Sequence, residues 1–174
     1  MPNYAFSYYI KGVKMNTKLT NIVLVAMLSI STSLFAKKDE AFFKVLKEAQ
    51  KAAGEIEPIK VVEMLEDDED VIVIDVREKE QRAEGLLFVN EITPLTIYQI
   101  TRGNLEWNIS DKVTDKNAFI VTYCRSGGRG AMAAQRLREL GYKNATNLKG
   151  GLKGWVKAGY PVKTGFGITK ITKE

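Results

Sequence analysis

The chain has 174 residues, 45% of them hydrophobic and 27% charged, which suits one folded domain with an N-terminal addition and excludes a disordered chain or a second enzyme domain. Its formal charge of +5 is not a nucleic-acid footprint: Lys11, Lys14 and Lys18 stand in an acid-free stretch before residue 37, and the remainder is nearly balanced, with no basic stripe interleaved with aromatics. Histidine is absent and cysteine occurs once, which excludes Ser-His-Asp and Cys-His machinery, imidazole metal sites, an internal disulfide and a multi-cysteine metal site.

Residues 1–36 read as an N-terminal extension and signal peptide. From Met15 the chain has a basic start, an apolar middle Ile22-Val-Leu-Val-Ala-Met-Leu-Ser-Ile30, and small residues up to Ala36, after which cleavage and periplasmic export are expected. The apolar run falls short of the ~20 residues of a spanning helix, so no stable membrane insertion is expected after cleavage. Leu34 sits where a small residue is preferred, which leaves an uncleaved N-terminal membrane anchor as the alternative.

Residues 37–54 form a helical lead-in. Phe42, Val45, Leu46, Ala49 and Ala53 recur at three- and four-residue spacing, and Gly54 ends the run. A domain over 55–165 follows, with 166–174 as a C-terminal tail. Pro58 opens a short helix carrying Ile59, Val62 and Leu65 on one side, and the acidic run Glu66 to Asp70 is a solvated turn. Val71-Ile-Val-Ile74 is a continuous β-branched run, as expected of a parallel strand covered on both faces. Leu86-Leu-Phe-Val89 reads as the next strand and Phe119-Ile-Val-Thr-Tyr123 as a third. Between them Leu95, Tyr98, Leu105 and Trp107 suggest helix, interrupted by Gly103. Residues 130–140 are helical in pattern and stop at Gly141, a strand covers 145–148, and a last helix covers 152–158. Strands alternating with helices give an α/β fold, a doubly wound and mainly parallel sheet with helices on both faces.

In such sheets ligands bind beyond the carboxyl ends of the strands, and Cys124 falls there, directly after the strand Phe119 to Tyr123. A lone cysteine is most often a buried small hydrophobe; the loop around this one points elsewhere. Gly127, Gly128 and Gly130 let the backbone curl so that successive N–H groups turn inward. The positive end of the following helix lies close by, and Arg125 and Arg129 add cationic donors. Together these should pull the thiol below its free pKa of about 8.5, replacing the general base that a histidine-free chain lacks. Cations at a helix N-terminus are unfavourable unless an anion offsets them, so both arginines are expected to face an anionic ligand. Asp75 and Arg77 are open to two readings, a structural ion pair at the sheet end or a pocket wall. Gly150, Gly151 and Trp155 read as turn and core residues.

A thiolate in an anion cradle suits attack on sulfur or phosphorus carrying negative oxygens. Cysteine-dependent phosphatases resemble one another in a Cys-x5-Arg loop sized for tetrahedral phosphate; here the arginine comes after four residues, Arg129, and the next position is Gly130. Three stretches in order, Val71-Ile-Val-Ile-Asp-Val-Arg-Glu78, Cys124-Arg-Ser-Gly-Gly-Arg129, and Leu148-Lys-Gly-Gly-Leu-Lys-Gly-Trp155 with Gly159-Tyr-Pro-Val162, make the chain resemble a rhodanese-family domain from about residue 55 to 162. The resemblance implies a doubly wound sheet, no organic cofactor or metal, and a ping-pong sulfurtransferase. Cys124 would take sulfane sulfur from a small anionic donor such as thiosulfate as a persulfide, then pass it to cyanide, another small thiophile or a protein thiol. By the same resemblance Arg125 and Arg129 would hold the donor, and the amides of Ser126, Gly127, Gly128, Arg129 and Gly130 would stabilise the persulfide, with Arg77 lining the pocket. A persulfide carrier acting with a protein partner is the alternative function, and a phosphatase or arsenate reductase a more distant one. Where many rhodaneses carry Gly-His-Ile-Pro-Gly-Ala, this chain has Gly85-Leu-Leu-Phe-Val-Asn90, so specificity is expected within 90–118.

Overall fold

The two β-branched runs, Val71–Asp75 and Phe119–Tyr123, lie side by side at the centre of a parallel sheet in the computed structural model, which describes residues 40–170. The signal-peptide reading of residues 1–36 lies outside the described residues. The chain divides into two compact units, Met1–Phe43 and Lys44–Glu174. Of the first, residues 40–43 are described and are helical.

In chain order the elements are α1 (residues 40–53), β1 (Glu55–Ile56), α2 (Pro58–Glu66), β2 (Val71–Asp75), a 3-10 turn (Lys79–Glu84), β3 (Leu86–Leu87), β4 (Thr96–Gln99), α3 (Leu105–Asn108), β5 (Phe119–Tyr123), α4 (Gly128–Glu139), β6 (Asn144–Leu148), α5 (Gly151–Lys157), β7 (Val162–Thr164) and β8 (Gly167–Thr169). The main sheet runs in the order β1-β6-β5-β2-β4, every pair parallel. A parallel strand cannot be reached by a tight turn, so crossing helices must cover the sheet.

They cover both faces, and alternation along β5 shows how. Val121 and Tyr123 point into one core with Val61, Val62 and Leu65 of α2 and Leu152 and Trp155 of α5. Ile120 and Cys124 point into the other, with Leu105 and Ile109 at α3 and Ala133 and Leu137 of α4. The expected doubly wound α/β architecture is therefore the one observed. In α1, Ala49 and Ala53 are buried while Val45 is exposed.

Two expectations are corrected. Residues 86–89 do not add a strand to the parallel sheet: only Leu86–Leu87 is extended, and it pairs antiparallel with β7 in a separate three-stranded sheet, β3-β7-β8. The edge strand beside β2 is instead β4, Thr96–Gln99, inside the segment read as helical. Thr96, Ile97 and Tyr98 are good strand formers, but a four-residue edge strand is too short for its period of two to stand out. The helical reading survives over a 3-10 turn, Arg102–Asn104, and α3, where Leu105 is buried and Trp107 is exposed.

Candidate active site

Cys124 directly follows β5, and its side chain obeys the alternation of that strand, so it enters the α3 and α4 face of the core. Only 2% of the residue is exposed. The sulfur thus lies at the floor of the loop, and a reactant has to be small or the loop has to open. The depth has a local cause: as strand period and loop curvature meet, the residue after Tyr123 still points down toward Ile74, Val76 and Ile100.

The backbone over Cys124 is clamped by α5. The amide of Leu152 donates to the Cys124 carbonyl at 2.9 Å and that of Lys153 to the Arg125 carbonyl at 3.0 Å. In a trans peptide N–H and C=O point in opposite directions. Drawing those two carbonyls to α5 therefore turns the amides of Arg125 and Ser126 the other way, and among the described residues neither of these amides, nor that of Gly127, meets an acceptor. Gly127 caps α4 in the left-handed region at φ +95°. Gly151 permits the clamp: at φ +57° a Cβ there would stand 2.3 Å from the Cys124 carbonyl oxygen and 2.8 Å from the Gly127 nitrogen. The Gly150-Gly151 motif, read as a turn, is thus the buttress of the Cys124 loop. On the other side the Thr122 hydroxyl donates to the Gly130 carbonyl at 2.8 Å. Asn147 Oδ1, buried and without a partner among the described residues, fills the space a Cβ on Gly130 would need.

The two loop arginines both reach the 3-10 turn. Arg125 Nε meets the Glu84 carboxylate at 2.9 Å, and Arg129 Nη2 donates to Gln81 Oε1 at 2.7 Å. An anion does offset the positive helix end, as electrostatics demands, but the protein itself supplies it. Glu84 and Gln81 were not singled out by the sequence reading. The signal that could have found them is the unbalanced cation pair, which calls for acceptors from a distant segment.

Arg77 holds that turn in place, and its expected place in a pocket wall is corrected. It is fully buried, and Nη2 meets Asp75 Oδ2 at 2.7 Å. Its Nη1 donates to the Gln81 carbonyl at 3.1 Å and its Nη2 to the Gly85 carbonyl at 2.7 Å, bracketing the turn. Arg82 Nη2 in turn donates to the Arg77 carbonyl at 3.0 Å. Of the two readings of Asp75 and Arg77, the structural ion pair is the one found. Tyr123 completes the network, its hydroxyl donating to Asp75 Oδ2 at 2.9 Å. Burial, then the neighbouring Asp75 charge, pushes the Tyr123 phenol far above its ordinary value. For Arg77 burial works against the charged form, yet the Asp75 hydrogen bonds and the surrounding charge hold the guanidinium above its ordinary value.

The chain as a whole is similar to known proteins. The rhodanese-like domain family model matches residues 57–158. A sulfurtransferase of Allochromatium vinosum is 30% identical over 109 residues, covering 63% of this chain and 94% of that protein. The thiosulfate sulfurtransferase GlpE of Actinobacillus succinogenes is 27% identical over 124 residues, covering 69% of this chain and 99% of that protein. Among solved structures, the polysulfide-sulfur transferase homodimer from Wolinella succinogenes superposes with a TM-score of 0.60 at 26% identity, covering 73% of this chain and 90% of that one.

Proposed function

This chain belongs to the rhodanese-like domain family, and we propose that within it the protein is a sulfurtransferase that works through a persulfide on Cys124. The Cys124 thiolate attacks the outer sulfur of a donor such as thiosulfate, the bond between the two donor sulfurs breaks, and sulfite leaves with the electron pair. A thiophile such as cyanide then takes the outer sulfur as thiocyanate and regenerates the thiolate. The observation that carries this reading is the placement of the single cysteine of the sequence: after a central strand, beside the N-terminus of α4, under loop amides turned away from the α5 clamp. In this reading the amides of Arg125 and Ser126, with the first turn of α4 behind them, hold the added negative sulfur. The exposure of Cys124, 2%, favours a small donor over a folded protein.

Intact-mass spectrometry before and after thiosulfate tests the proposal. One added sulfur that cyanide removes is the expected result; an otherwise folded chain that gains no mass from thiosulfate or from a small-thiol hydropersulfide overturns it. Export after cleavage at Ala36 belongs to the same proposal, and the same spectrum reads it, since the processed chain begins at Lys37.

A further inference from the structure

We infer that Glu84 is a specificity-determining residue that biases the site toward singly charged sulfane donors, the hydropersulfides of small thiols, and away from dianions such as thiosulfate. The inference rests on the sulfurtransferase reading and adds the class of donor to it.

The loop brings two guanidiniums, Arg125 and Arg129, to the N-terminal end of the twelve-residue helix α4. Left to themselves, two fixed cations and a helix N-terminus would suit a dianion. The structure does not leave them so. Arg125 faces a full negative charge, with Nε within 2.9 Å of Glu84 Oε1 and 3.1 Å of Oε2. Arg129 faces only the neutral amide of Gln81. One of the two cations is thus cancelled, and the loop presents a single net positive charge.

Glu84 is also poorly placed to retreat. Its turn is pinned by Arg77, which donates to the carbonyls of Gln81 and Gly85 from a fully buried position. A dianionic donor at Arg125 must therefore displace the Glu84 carboxylate from a turn held by Arg77, or lie beside it. A singly charged donor can use Arg129 and the loop amides and feels about half that repulsion. The burial of Cys124, 2% exposed, adds the requirement of size. The step balances without another reactant: the Cys124 thiolate attacks the outer sulfur of the hydropersulfide anion, the donor S–S bond breaks, and the small thiolate leaves with the electron pair.

The test compares thiosulfate and cysteine hydropersulfide as donors for the full chain and for Glu84→Gln and Glu84→Asp. Glu84→Gln keeps the shape and a hydrogen-bond acceptor for Arg125 while removing the charge. It should improve kcat/KM for thiosulfate about three- to fivefold, the scale of an exposed ion pair, mostly through KM, and change that for hydropersulfide less than about twofold. The gain should shrink at high salt. Glu84→Asp keeps the charge and should keep the wild-type donor ratio. A ratio unmoved by Glu84→Gln, or moved equally by Glu84→Asp, overturns the inference while leaving the sulfurtransferase reading intact. A wild-type chain that gains no sulfur from either donor overturns that reading, and this inference with it.

Discussion

The carboxyl ends of β2 and β5 lie next to each other in the sheet, Asp75 opposite Tyr123, yet they are held by different physics. Beyond β5 the loop is shaped by backbone: two amide–carbonyl bonds from α5, close approach at Gly151, and an arginine, Arg125, that stays half in water. Beyond β2 the turn is shaped by a buried charge, with Arg77 between Asp75 and two carbonyls and no solvent on either partner. On the proposed mechanism the contrast separates the loop that does chemistry from the turn that aims it. A loop proposed to bind and release anions keeps Arg125 near water, where it can exchange partners, whereas the supporting turn uses an ion pair too deep to exchange.

The strongest way to break the comparison is at the sulfur. Cys124→Ser should abolish persulfide formation, read by intact mass, and lower stability by about 1–2 kcal/mol because it places a hydroxyl among Ile74, Val76 and Ile100. Retained transfer would end the mechanism. Next in size, Arg77→Met should destabilise the fold by about 3–5 kcal/mol in urea unfolding, since Asp75 is left buried without its cation. A loss under about 1 kcal/mol would show that the β2 end does not depend on its buried pair.

Gly151→Ala strikes the other end. The strained φ and the clash with the Cys124 carbonyl should remove about 1–3 kcal/mol and weaken transfer with it, because the loop must move off α5. Normal kinetics in that variant would mean that the clamp is not what shapes the loop. Smaller again, Arg125→Ala should raise the thiosulfate KM by about tenfold, the scale of one charge-assisted hydrogen bond, with little change in kcat. The smallest effect is a matter of pH. The Tyr123 phenol is raised by folding, so the unfolded chain loses its proton first, from about pH 10 upward. The stability contributed by this group is complete below that pH and falls as pH rises above it. Tyr123→Phe should flatten the alkaline limb of a stability–pH curve, and an unchanged limb would mean that burial and Asp75 do not raise the phenol.

What the sequence by itself determined is what short-range pattern encodes. The β-branched runs at 71–74 and 119–123 read as buried parallel strands because each carries its own signal within a few residues. The glycine-rich loop at Cys124 and the helix after it are legible for the same reason: glycine, helix start and arginine spacing are local properties. The three motifs in order were enough for the family. Other features depend on which distant segments meet, and local pattern is silent there. Four residues of edge strand, Thr96–Gln99, become a strand only because β2 offers them a partner. Arg77 turns inward because Asp75, Gly85 and Tyr123, the last 46 positions away, close around it. Glu84 meets Arg125 across 41 positions, and Cys124 is deep because α3 and α4 pack over its side of β5. Tertiary structure decided these because burial and electrostatics act through space, and only the folded chain brings the partners within reach.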